Sequence, residues 1–265
     1  MGSRRLSELL SALTSHYDLL TLAFIAALSF VLSIFHTFNG FAGGLLLAIF
    51  IAPIIGVRTI IPVMAIAMTI DHSVRMWVFR HDFQWRPFFM ITLLGVPGII
   101  AGATIYSFMD TSAIALLLAV FLMISIPARR YLHDRNIHVG DTGLIIAGGG
   151  WGLISGPTVG PGIFLVPFLL GASLTGEAFI AMINATALVA NALKSAVFGK
   201  FALLTPENLA VGILIAMSSI PGTYIGRWLL RKTLVRVHVG FVEAIVIFGA
   251  LNFLWIAAKD FGWIQ

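Results

Sequence analysis

Arg75 lies inside the apolar run Thr59–Phe79, and Lys194 lies inside the apolar run Ala178–Phe198. A charged side chain at the bilayer centre costs at least roughly 2.5–3.5 kcal/mol, so each of these cations needs a partner or a task. Asp71 stands one helical turn before Arg75, with His72 beside it. Asn184, Asn191, Lys194 and Ser195 follow one another at steps of seven, three and one, a loosely helical stripe. A guanidinium offers a planar fork of donors and an ammonium a point charge, so together the two cations suit an anion. Other readings stand beside this one. Arg75 has Asp71 at i,i+4 spacing, both cations are within reach of a helix end for snorkelling, and buried asparagines commonly join helices. Glu243, in the last apolar run, is a candidate proton carrier together with Asp71, or else a neutral carboxyl packed on a neighbouring helix. His36 and His238 fall near run ends and read as interfacial histidines.

A third feature is an interruption. Glycines 143, 148, 149, 150, 152, 156, 160 and 162 and prolines 157, 161 and 167 crowd into one segment. Each interior glycine costs about 1 kcal/mol against alanine and each proline about 3, so no straight helix runs through Gly156–Gly162. Unpaired backbone groups cannot face lipid, so the break must be buried in protein or line a polar cavity. A half-helix starting near Gly162 would present free N–H groups and a positive dipole end to an anion, which adds Gly160 and Gly162 to the candidate binding residues. The alternative is that the glycines serve close helix packing. Trp151 lies within the glycine-rich stretch, away from the segment ends where Trp77, Trp85, Trp228 and Trp255 fall.

The elements that position these residues follow from composition. The 265 residues are 59% hydrophobic and 10% charged, with a mean hydropathy of +1.02. Soluble domains carry about 25% charged residues, so this is an all-α, polytopic integral membrane helix bundle and not a soluble enzyme or DNA-binding domain. The net charge of +5 sits in short gaps between apolar runs, which marks cytoplasmic loops and gives no surface for nucleic acid. A spanning helix needs about 20 apolar residues. The runs are Leu19–Phe35, Gly40–Ile55, Thr59–Phe79, Pro87–Phe108, Thr111–Ala128, Gly143–Leu170, Ala178–Phe198, Pro206–Leu230 and Leu234–Ala257. The first lacks a small-residue cleavage site and reads as retained. Thr205-Pro206-Glu207 and Asp110-Thr111 read as helix starts. With no cysteine, no His-Glu-x-x-His and no Gly-x-Ser-x-Gly, an enzyme is not expected, nor is a metal or cofactor.

The chain reads as one transmembrane domain over 1–265 with two repeats, about 19–131 and 143–257. Pro53 and Gly56 match Pro167 and Gly171 at offsets of 114 and 115, Arg75 matches Lys194 at 119, and Pro97-Gly98 matches Pro221-Gly222 at 124. The same register pairs His72 with Asn191. The basic loops at Arg80–Arg86, at Arg129, Arg130 and Arg135, and at Arg227–Arg236 all fall inside if Gly143–Leu170 enters and leaves by one side. The repeats are then inverted, with broken or re-entrant helices, a plan used by many secondary transporters. The run Leu19–Ile55 fits either two spans or a re-entrant hairpin mirroring the broken segment.

Gly148-Gly149-Gly150, then Gly160-Pro161-Gly162-Ile163-Phe164-Leu165-Val166-Pro167, then Pro221-Gly222 with Gly226, resemble the sulfite exporter TauE/SafE family of bacterial membrane transporters. The likeness extends over nearly the whole length, although Gly43-Gly44 is a poor copy of the glycine run. It implies a multi-pass protein of the bacterial inner membrane that exports sulfite or an organosulfonate such as sulfoacetate or sulfolactate by alternating access. Lys194 and Arg75, with Asn191, Asn184 and His72, are the expected ligands for such an anion. The expected partners are that small anion and the lipid bilayer, with a homodimer as the candidate assembly. An anion channel, or a transporter of a non-sulfur organic anion, is the alternative.

Overall fold

The computed structural model describes residues 13–39, 42–133, 138–232 and 239–262. Among these, helices account for nearly all the chain and there is no strand: α1 Leu19–Asn39, α2 Ala42–Ile55, α3 Val57–Val78, α4 Trp85–Phe108, α5 Thr111–His133, α6 Asp141–Ser155, α7 Gly162–Gly171, α8 Gly176–Lys200, α9 Pro206–Lys232 and α10 Val239–Asp260. Several starts are capped as the sequence indicates. Thr205 Oγ1 accepts from Asn208 N at 3.3 Å, and Asp110 Oδ1 accepts from Ala113 N at 2.7 Å. Each satisfies an N–H that the first turn leaves without an intrahelical partner.

Among the described residues, α1, α3, α4, α8 and α9 contain stretches long and apolar enough to cross a membrane. At about 1.5 Å per residue, the 22 residues of α3 reach roughly 33 Å, the thickness of a hydrocarbon core. The outward faces are apolar. On α4, Phe89, Leu93, Ile105 and Phe108 are all more than half exposed, a surface that water would not tolerate and lipid would. Trp77 and Trp85 are exposed at one boundary, as interfacial aromatics are. The chain is a multi-pass helical membrane protein.

The broken segment resolves into α6, an irregular stretch, and α7. With 10 residues, α7 reaches only about 15 Å and cannot cross. Val139 N donates to Gly171 O at 3.0 Å, so the residue before α6 and the end of α7 lie side by side. The two ends of the α6–α7 pair therefore lie together, the arrangement on which the reading of the basic loops depends. The glycine run Gly148–Gly150 and Trp151 belong to helix α6, so the break is shorter than the glycine-rich stretch and begins after Ser155.

Close packing explains Gly148 and Gly152 of α6 and Gly156 just after it. A Cβ on Gly148 would collide with Ile91 O of α4, one on Gly152 with Gly95 O, and one on Gly156 with Gly102 and Ala103. Both residue series climb together, so α4 and α6 run parallel with backbones in contact, as small residues at intramembrane interfaces allow. The same arrangement recurs between α9 and α1. A Cβ on Gly222 would collide with Ser33 and Phe30 O, and one on Gly226 would meet Thr37 and Ile34. Between these two parallel pairs lie α3 and α8. The α3 span is 61% buried, against 28% for α4.

Candidate functional site

α3 and α8 carry Asp71, His72 and Arg75, and Asn184, Asn191, Lys194 and Ser195, respectively. On α8, Asn184, Asn191 and Lys194 are buried, Lys194 to 2% exposure. The ammonium is far too enclosed to reach the headgroups. Its Nζ donates to Thr158 O in the break at 3.1 Å, and no carboxylate lies within ion-pair distance among the described residues. Thr158 is held in turn by its own hydroxyl, which donates to Ile154 O at 2.6 Å. Gly160 has φ of 76°, a left-handed conformation that glycine adopts without the roughly 1–2 kcal/mol cost borne by other residues. This turn brings the chain round to start α7 at Gly162. That helix has no side-chain cap, so the positive end of its dipole is at the break.

Break, α3 and α8 enclose a cavity of about 40 Å³. Lys194, Asn191, His72, Gly160 and Gly162 all line it, with Trp151 and Ser155 of α6 and His36 of α1 completing its wall. One water needs roughly 10–15 Å³ on this measure, so the space suits a few waters or an anion of a few heavy atoms. Asn191 Nδ2 is committed to Ala187 O at 2.8 Å. His72 and Asn184 join α3 to α8 through an Nδ1···Oδ1 hydrogen bond of 2.9 Å. Because Asn184 Nδ2 donates to Ile180 O at 2.8 Å, its oxygen faces His72, which must supply the proton from Nδ1.

Arg75 is placed elsewhere. Its Nε lies 3.1 Å from Asp71 Oδ2, both side chains being almost fully buried. Its Nη2 donates to Thr223 Oγ1 at 3.1 Å, and the Thr223 hydroxyl donates to Asp71 Oδ1 at 3.3 Å. This triad closes α3 onto α9. Arg75 lines a separate, smaller cavity of about 20 Å³ with Asn184, Thr223 and Arg227. The expectation that the two cations face one cavity is not met, because Asp71 one turn away captures the guanidinium. Asp71 itself borders a third small space beside Ser29, Ser33 and Ser219. Glu243 falls on α10, and its side chain lies outside the described residues, as does His238.

Two site residues escape the sequence reading. His36 is 3% exposed and stands edge-on to His72, ring centroids 5.6 Å apart; it is buried, not interfacial, because α1 continues beyond the apolar run to Asn39. Trp151 is equally enclosed at 3%. His36 and Trp151 are 115 positions apart, the offset that separates Gly56 from Gly171, and that register was a signal that could have joined them.

No curated protein and no solved structure matches the chain significantly. The family model described as sulfite exporter TauE/SafE matches residues 25–253. With a bundle of membrane-spanning helices, a break lined by Gly160-Pro161-Gly162 and nearly the full length matched, the chain belongs to the TauE/SafE family of membrane transporters.

Proposed function

We propose that this protein is a secondary transporter of the bacterial inner membrane that exports a small sulfur-containing oxyanion, sulfite or a compact organosulfonate, by alternating access. The observation that carries the anion is Lys194. A buried ammonium without a carboxylate is expensive unless a counter-charge arrives, and this one borders a cavity at the foot of a helix N-terminus. The cavity size favours sulfite over a longer sulfonate in this conformation. Family membership supports the sulfur chemistry. The membrane potential would drive an anion outward at about 2.3 kcal/mol per charge per 100 mV.

Alternating access needs two halves that can exchange positions around the site. The support is the matched packing: α4 lies parallel to α6 as α9 lies parallel to α1, with His72 on α3 meeting Asn184 on α8 between them. We read this as two inverted repeats, 19–131 and 143–257, with α1–α2 mirroring the α6–α7 hairpin.

The test is a binding and flux pair. Purified protein in detergent is heated with sulfite, sulfate, sulfoacetate, sulfolactate, taurine and matched carboxylates. A ligand at 100 times its Kd adds about 2.7 kcal/mol of stability, readily seen as a raised Tm. Stabilisation by a sulfur oxyanion and not by its carboxylate analogue is the expected result; stabilisation by carboxylates alone would replace the substrate class. In proteoliposomes, sulfite flux that saturates supports alternating access, and flux rising linearly with concentration would make the protein a channel.

A further inference from the structure

We propose that Trp151 is a ligand-binding and specificity residue, its indole N–H donating to an oxygen of the bound anion. The proposal deepens the exporter reading and rests on its placing the anion in the central cavity. Trp151 is 3% exposed, it lines that cavity, and its Nε1 has no hydrogen-bond partner among the described residues. Buried indole N–H groups ordinarily find a partner. A phenylalanine would fill the same slot without an unpaired donor, so the N–H itself needs an account.

The orientation of the ring supplies one. A Cβ on Gly95 of α4 would lie 3.4 Å from Trp151 Cζ3 and 3.6 Å from Cε3. The six-membered edge of the indole is therefore turned to α4, and Nε1, on the opposite edge, is turned away from it. Gly148 and Gly152, on either side of Trp151, hold α6 against α4 by backbone contact. The cavity is then bordered on two walls by side chains that can donate, Lys194 on α8 and Trp151 on α6. One donor is charged and the other is neutral. A ligand meeting both needs acceptor atoms pointing in different directions, which a pyramidal or tetrahedral oxyanion has. Trp151 can donate and cannot accept, so it selects for a bare oxygen at that position.

The experiment compares wild type with Trp151→Phe by calorimetric titration of sulfite, sulfate, phosphate, formate and chloride into detergent-purified protein. Trp151→Phe keeps an aromatic ring at this position and removes the donor together with the second ring, and the chloride titration reports the loss of volume alone. The expected result is sulfite affinity lowered roughly tenfold or more, chloride affinity changed little, and the ligand-free Tm held. Unchanged sulfite affinity in Trp151→Phe overturns the proposal. If wild type prefers a non-sulfur oxyanion, the exporter reading falls on substrate, and the same comparison with that oxyanion still decides Trp151. Wild type binding none of the five overturns both. Should Trp151→Phe fail to fold, a protein retaining Trp151 as its single tryptophan serves: Trp77, Trp85, Trp228 and Trp255 are all more than half exposed, and Trp263 is replaced with them. Its fluorescence is expected to shift to the red as saturating sulfite bonds the N–H, and an unchanged spectrum overturns the proposal.

Discussion

Arg75 on α3 and Lys194 on α8 are both buried in the centre of the bundle, yet they are satisfied in opposite ways. Arg75 is paired inside the chain: Asp71 Oδ2 lies at ion-pair distance from its Nε, Thr223 Oγ1 accepts from its Nη2, and the three tie α3 to α9. Among the described residues Lys194 donates to one carbonyl, Thr158 O, and has no carboxylate at ion-pair distance, and it borders a cavity. A planar five-donor group is suited to a fixed network, whereas a point charge with rotatable donors suits an exchangeable partner. Burial alone therefore does not mark a binding cation; what distinguishes the two is whether the protein supplies the counter-charge.

The largest effect is expected from breaking the closed side. Asp71→Asn leaves a buried guanidinium without its charge partner, and should cost about 3–5 kcal/mol, read as a large drop in Tm of the ligand-free protein. A drop of less than a degree would mean that Arg75 is compensated from elsewhere. On the open side the expectation inverts. Lys194→Met fills the same space without charge, so ligand-free Tm should hold or rise, while affinity for the transported anion falls by about 2–5 kcal/mol, roughly 30-fold or more. Titration calorimetry on the variant measures this, and wild-type affinity would remove Lys194 from the site.

A smaller effect tests whether the two halves pack alike. Gly152→Ala drives a methyl into Gly95 of α4, and Gly222→Ala drives one into Ser33 and Phe30 of α1. Overpacking of this kind costs about 1–3 kcal/mol, and the two variants should lose similar amounts of thermal stability. Gly150→Ala, whose Cβ meets open space, is the control and should lose nothing. A loss confined to one of the pair would argue that the halves carry unequal structural weight. The smallest effect is expected at the surface. Arg86 Nη2 and Asp141 Oδ2 lie 2.6 Å apart with side chains 78% and 45% exposed. Asp141→Asn should change stability by at most about 1 kcal/mol. If it matched Asp71→Asn, burial would not be what makes the Asp71–Arg75 pair matter.

Much of this arrangement was legible before the fold. The break was readable because Gly156–Gly162 cannot be helical, and a one-sided return is the arrangement that puts all the basic loops on one side. The candidate cations were readable because charge inside an apolar run is costly. The partition between them was not, since Asp71 at i,i+4 competes with any ligand and only Thr223, 152 positions away, completes the triad. His36 is buried although it falls at the end of an apolar run, for a related reason. Hydropathy locates the end of an apolar run but not the end of the helix, and α1 carries on past it.

The sequence by itself determined that the chain lives in a membrane, where its helix breaks, and which polar residues had to be accounted for. These are consequences of local composition acting on a solvent that tolerates no unpaired backbone and no idle charge. Only the tertiary structure decided which of those residues share a cavity. That depends on glycines of α6 and α9 letting distant helices approach to backbone contact, and on which side chains then arrive first at each buried charge.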